Sequence, residues 1–198
     1  MTNSAIADNF SLLSKLMDIH RENAFKSKSY SIAAFAIENL PQEFLLLDRN
    51  KIASIKGIGD SVAKKIIEQL ETETLSVLDE IISKTPQGII EMLQHIKGLG
   101  PKKISTIWKE MEIETIGELL YACNENRLTL YKGFGEKTQQ NVIDTIEFYL
   151  SSQGSYLYPQ VEAVEPQITA YLHKLFGDQN VFVTGTFKRQ LEIIEELE

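Results

Sequence analysis

The sequence predicts a mainly α-helical chain with a short α+β end, and two observations carry that reading. First, an apolar–Lys–Gly–apolar–Gly frame occurs three times, as Ile55-Lys56-Gly57-Ile58-Gly59, Ile96-Lys97-Gly98-Leu99-Gly100 and Tyr131-Lys132-Gly133-Phe134-Gly135. The copies lie about 41 and then 35 residues apart, the range in which a repeat means one supersecondary unit. Second, each frame is followed by a helix-like run, so the repeat reads as a glycine hairpin opening a helix.

Each element follows from local pattern. Residues 9–20 put Phe10, Leu13, Leu16, Met17 and His20 near helical spacing. A second helix begins at Asn23-Ala24-Phe25, runs through Tyr30, Ala33, Ala34 and Ile37, and ends before Pro41. Residues 42–47 read as a short helix, 51–70 as the first hairpin with its helix, and 74–82 as another helix. Pro86 breaks the chain there. Residues 87–94 lead into the second hairpin, which runs to about Met111 with Trp108 read as core, and Thr115 is placed to cap a helix over 116–124. Residues 137–150 form a long helix after the third hairpin, and 151–155 read as a linker. Pro159 and Pro166 bracket an extended or irregular piece, 167–176 is a helix, and 180–185 is the one expected strand. The resulting domain scheme is 1–85, 86–152 and 153–198.

Composition sets limits. The chain has 198 residues, 43% apolar and 24% charged, which is ordinary for a globular protein. No apolar run is long enough to span a bilayer, residues 1–10 lack a signal-peptide pattern, and Cys123 is the only cysteine. A cytoplasmic setting and a monomer are the expectation, with no membrane partner. The net charge of −8 argues against coating nucleic acid by charge alone. Lysines nevertheless gather at the hairpins: Lys51, Lys56, Lys64 and Lys65 at the first, and Lys97, Lys102, Lys103 and Lys109 at the second.

The hairpin chemistry points to phosphate. Glycine permits a tight turn and close approach by another backbone. The helix after it opens with amides that have no helical partner, which suits an anion. This makes Lys56, Gly57, Gly59, Ser61 and Lys64 candidates in the first hairpin, and Lys97, Gly98, Gly100, Lys102 and Lys103 in the second. Such contacts hold a nucleic-acid backbone without reading bases. The third hairpin has Glu136 where the second has Pro101. The competing reading is a set of αα-hairpins that pack protein, making the chain an interaction module.

The arrangement resembles the N-terminal part of family X DNA polymerases, the group that contains DNA polymerase beta and the bacterial PolX enzymes. The segment Asn23-Ala24-Phe25-Lys26-Ser27-Lys28-Ser29-Tyr30 with Ala33-Ala34 is similar to the second helix of the family's lyase-type domain. Gly98-Leu99-Gly100-Pro101-Lys102 with Glu114-Thr115-Ile116-Gly117-Glu118-Leu119 is similar to its fingers domain. The resemblance implies two consecutive helix-hairpin-helix domains and DNA as partner: gapped, nicked or 5′-phosphorylated duplex, as in base excision repair. By the same likeness His20, Arg21, Phe25 and Lys26 fall at positions that contact the 5′-phosphate and the gapped template. His20 also fits an apolar helix face, and Phe25 also fits a core. Lys65 matches the lysine that forms a Schiff base in 5′-deoxyribose phosphate lyases, while Ser61 stands where the family grips phosphate with lysine. The family's hairpins hold Na⁺ or K⁺ on backbone carbonyls, here those of Ala53, Ile55 and Ile58, and of Gln94, Ile96 and Leu99.

The last residues depart from the family. Val183-Thr184-Gly185-Thr186-Phe187-Lys188-Arg189 resembles the start of the palm, which implies nucleotide contacts from Gly185, Thr186, Lys188 and Arg189. The two Mg²⁺-binding aspartates would fall at Glu196 and Glu198. Each glutamate carries an extra methylene, and misplacement on that scale costs about a hundredfold. The expectation is therefore a piece of a longer polymerase-like protein, inactive as a polymerase, with its divalent site absent or degenerate.

Overall fold

Helix α1 (Asn3–Ile19) is the spine of the computed structural model, which describes all 198 residues apart from the side chains of Leu45 and Asn50. It starts a turn and a half ahead of the apolar pattern because the Thr2 hydroxyl caps it, accepting from the Ala5 amide at 3.2 Å. Ile6, Phe10, Leu13, Leu16 and Ile19 are fully buried, the spacing of a helix that packs on several sides. α1 packs on α2 (Ala24–Glu38), α4 (Ser76–Ser83) and α6 (Pro101–Lys109). The buried Asn3 side chain closes the start of α1 onto the following loop. Its Oδ1 accepts from Phe44 N at 2.9 Å and its Nδ2 donates to Gln42 O at 3.0 Å.

Between α2 and α3 (Asp60–Thr72) lie two 3-10 turns, Phe44–Leu46 and Arg49–Ser54. The short helix expected over 42–47 is thus a single 3-10 turn. After α4 come α5 (Gln87–His95), α6, α7 (Ile116–Asn124), a 3-10 turn at Leu128–Leu130 and α8 (Glu136–Ser151). Thr115 caps α7 as expected, in a reciprocal pair. Glu118 N donates to the Thr115 hydroxyl, and the Glu118 carboxylate accepts from Thr115 N at 3.1 Å. Cys123 is buried in α7, and burial pushes its thiol up to about 11. Trp108 is half-buried, with the His20 ring edge-on at 5.0 Å.

The chain forms two compact units, Met1–Ile146 and Glu147–Glu198. The first therefore holds all three hairpins, and Pro86 lies inside it as the N-cap of α5. The second unit is small. An antiparallel pair, β1 (Tyr156–Leu157) and β2 (Ile193–Ile194), is in register Tyr156↔Ile194. Around it lie α9 (Tyr158–Glu162), α10 (Glu165–Phe176) and α11 (Gly185–Lys188). Tyr158 stacks on the buried Phe187 at 4.9 Å.

Two expectations fail in this unit. The expected strand over 180–185 is irregular up to Thr184, and Gly185 opens α11. A ladder needs a neighbour for its N–H and C=O groups, and the β1–β2 ladder lies elsewhere, while Thr184 N donates to Glu198 O at 2.8 Å. The bracketed piece after Pro159 is helical rather than extended, because each proline sits in the first turn of a helix, where its missing N–H costs nothing.

Candidate nucleic-acid interface

The three glycine frames fold into the same turn. The first glycine of each has positive φ: +94° at Gly57, +88° at Gly98 and +94° at Gly133. That is the region where a side chain is strained. A backbone bond closes each turn, from Ile58 N to Ile55 O at 3.0 Å, Leu99 N to Ile96 O at 3.4 Å and Phe134 N to Tyr131 O at 3.2 Å. The apolar residue between the glycines is buried in all three. It anchors the turn and explains why that position is apolar. Lys56, Lys97 and Lys132 are exposed beside it.

The second glycine has a different use. Gly59 and Gly100 are helix N-caps with φ of −87° and −80°, values open to any residue, and no side chain caps either helix. Gly135 serves α8 likewise, accepting from Thr138 N and Gln139 N. A Cβ added at Gly59, Gly100 or Gly135 would meet nothing within 4 Å. The backbone there faces open space, and the first amides of each helix lie ahead of its hydrogen-bond ladder. Asp60 and Glu136 bring a carboxylate into the first turn of α3 and α8. The second hairpin instead has Pro101, Lys102 and Lys103, so its electrostatics suit an anion best. Lys103 also lies over the Phe134 ring at 5.8 Å, which ties the second hairpin's helix to the third hairpin.

The other candidate residues occupy distinct surroundings. Ser61 and Lys64 are exposed on α3, and Lys65 is half-buried. The Glu68 carboxylate is held below its ordinary range by hydrogen bonds from Ser76, with a further contribution from the charge of Lys65. Asn23 caps α2 by accepting from Phe25 N and Lys26 N, so that helix start has fewer free amides. Phe25 and Lys26 are exposed, which removes Phe25 from the core.

His20 and Arg21 engage partners far along the chain. His20 Nε2 lies 2.7 Å from the Thr85 hydroxyl, which donates to Ile81 O at 2.7 Å. With its single proton committed, Thr85 accepts, and Nε2 is the protonated nitrogen. Burial and the Lys109 ammonium push His20 below its ordinary 6.5. Arg21 Nε donates to Ser105 Oγ at 3.1 Å, and its guanidinium pairs with Glu110. Ser105 Oγ in turn donates to Ile19 O at 2.8 Å. The end of α1 is thereby fastened to α6. Sequence reading missed Ser105, Thr85 and Glu110, because pairs more than sixty residues apart leave no local pattern.

In the second unit, Gly185 (φ +66°) lies against the Glu198 carboxylate, and Arg189 Nε donates to Gly185 O at 3.1 Å. Thr186 Oγ1 is buried without a partner. Lys188 and Arg189 are exposed. Glu196 borders an apolar cavity of about 300 Å³ with Tyr156, Val161, Val164 and Ile168. Among the described residues, no three His, Cys, Asp or Glu side chains gather as a metal site, and no helix is long and apolar enough to cross a membrane.

Comparison with known proteins agrees with the turn geometry. A helix-hairpin-helix domain model matches residues 1–75, and a SAM-like helix-hairpin-helix tandem model matches residues 90–147. The chain carries tandem helix-hairpin-helix domains. The tandem match covers the second and third hairpins and ends at the limit of the first compact unit. The chain is also 27% identical over 130 residues to the DNA polymerase/3′-5′ exonuclease PolX of Bacillus subtilis. That match covers 66% of this chain and 22% of the relative, so it spans about a fifth of that protein's length. The helix-hairpin-helix region is thus similar to part of a bacterial PolX DNA polymerase.

Proposed function

We propose that this chain holds gapped or nicked, 5′-phosphorylated DNA by its sugar-phosphate backbone, and that it does not polymerise. The observation that carries the reading is the open N-cap glycine that follows each positive-φ turn, with lysine beside the turn. An uncapped helix start in open space lets a phosphate reach backbone amides directly. The second hairpin is the strongest grip, with Lys97, Lys102 and Lys103 around Gly98 and Gly100. The carbonyls of Ala53, Ile55 and Ile58, and of Gln94, Ile96 and Leu99, are neutral hard oxygen donors of the kind that suits Na⁺ or K⁺, which would add positive charge toward a phosphate. Glu196 and Glu198 do not fit a divalent pair, since the Glu198 carboxylate lies on Gly185 and Glu196 borders an apolar cavity.

Gly100→Asp is the cleanest test. Aspartate is a good N-cap at ordinary φ, so the helix is kept while a negative charge enters the phosphate position. Titration onto a duplex with a one-nucleotide gap, with and without a 5′-phosphate, at two salt concentrations, reads the effect. The expected result is salt-sensitive binding, tighter with the 5′-phosphate, and lowered about tenfold or more by Gly100→Asp on every sequence. A loss that depends on base sequence would sink the backbone reading.

Lys65 supports a second reading, a lyase, through its half-buried place beside Lys64. A nucleophilic lysine attacks the sugar carbonyl to form a Schiff base. Borohydride trapping on an abasic 5′-end separates the two, since only a Schiff base is trapped.

A further inference from the structure

Two buried hydroxyls hold the end of α1 against the rest of the first compact unit. Ser105, on α6, is 3% exposed, and Thr85, in the bend between α4 and α5, is 7% exposed. Each hydroxyl is used twice. Ser105 Oγ donates to Ile19 O at 2.8 Å and accepts from Arg21 Nε at 3.1 Å. Thr85 Oγ1 donates to Ile81 O at 2.7 Å and accepts from His20 Nε2 at 2.7 Å. One O–H proton serves one acceptor, so both donors are committed.

The network bridges two domains. Ile19, His20 and Arg21 belong to the helix-hairpin-helix domain of residues 1–75, and Ser105 belongs to the tandem of residues 90–147. Domains joined in this way move against each other by default. Here, separation would strip the buried hydroxyls and Ile19 O of their partners, which opposes it. The connection reaches a hairpin on either side. Ser105 lies on α6, whose first turn carries Lys102 and Lys103. On the other side α1 packs on α2, and the first hairpin rests on α2, a Cβ built on Gly57 lying 3.2 Å from Ala36 Cβ.

We propose that Ser105 and Thr85 are positioning residues, whose hydroxyls set the first hairpin and the tandem hairpins in one fixed geometry so that a single DNA duplex engages both. This rests on the nucleic-acid reading of the hairpins. Two weak grips held in a fixed arrangement act as one strong grip, because the second contact forms at a high effective concentration. The advantage exists only for a duplex long enough to reach both domains. Eight base pairs span about 27 Å, within the width of one domain of that size, about 30 Å.

The test uses the full chain with Thr85→Val and Ser105→Ala combined, which alters neither the charge nor a hairpin residue. The probes are a blunt 24-base-pair duplex and an eight-base-pair stem closed by a short loop. Trp108 is the chain's single tryptophan and stands at the joint with the His20 ring 5.0 Å away, so its emission reports opening. The expected result is a red-shifted emission with unchanged far-UV circular dichroism, affinity for the long duplex lowered about tenfold and affinity for the short stem unchanged. Thr85→Ser keeps the hydroxyl and should bind both probes as the parent does. Should the pair fail to fold, Ser105→Ala alone gives the same reading at smaller amplitude. Equal losses on both probes would reduce the hydroxyls to a stability role and overturn the proposal. Unchanged binding of the long duplex, with or without a red shift, would overturn it too, and either result leaves the hairpin reading standing. Failure of the unaltered chain to bind either probe would overturn the nucleic-acid reading itself.

Discussion

Arg21 has φ of +58°, a conformation in which a non-glycine residue costs about 1–2 kcal/mol. It terminates α1 in a Schellman arrangement, with Glu22 N bonded to Met17 O at 2.9 Å and Arg21 N to Asp18 O at 3.2 Å. Glycine usually fills that position. The arginine is offset by contacts to Ser105 and Glu110, and a half-exposed ion pair contributes at most about 1 kcal/mol. Arg21→Ala keeps the strain and loses the contacts, whereas Arg21→Gly loses both. Arg21→Ala should therefore be less stable than Arg21→Gly by about 1 kcal/mol in urea denaturation. Equal stability of the two would show that the backbone there is not strained.

At the scale of elements, α5 meets the start of α7 with no room between them. A Cβ on Gly88 would overlap the Glu114 carbonyl oxygen and lie 3.0 Å from Thr115 Cα. Both obstacles are backbone, so neither can rotate away. Gly88→Ala should cost about 1–3 kcal/mol by thermal or urea denaturation, despite alanine's better helix propensity. A stabilised variant would mean that α5 shifts freely.

This glycine also shows what sequence can reveal. The hairpin glycines were legible because three copies share a frame and the frame has a conformational cause. Gly88 is alone in a helical pattern, and its cause is a neighbour 26 residues on. The expected strand over 180–185 misled for the opposite reason. Its Val-Phe-Val composition has β-propensity, but propensity supplies no neighbour to pair with. The turn at each hairpin was readable from its glycines, while the fastening of His20 and Arg21 to residues far along the chain was not.

At the scale of the whole molecule, stability should depend on pH through His20. Its folded pKa lies below 6.5 because burial and Lys109 oppose the charge, with Lys84 adding to this and Glu22 opposing it. Below about pH 6.5 the unfolded chain binds more protons at this group than the folded one. The contribution is therefore fully present above that pH, and is lost as pH falls from 6.5 toward the folded value. His20→Gln keeps a donor for Thr85 and does not titrate. Its urea midpoint should fall less than the parent's between pH 8 and pH 5.5, and equal falls would remove His20 from the account.

The buried thiol of Cys123 has a use beyond packing. With its pKa near 11, about one thiol in a thousand is ionised at pH 8, and only the thiolate reacts. It is also the chain's single cysteine. Covalent labelling must then wait for α7 to open, so the labelling rate becomes a stopwatch on local breathing of the tandem region. A gapped duplex that grips the second and third hairpins should slow that clock. Rapid full labelling of the free native chain would mean that α7 is open far more often than its packing implies.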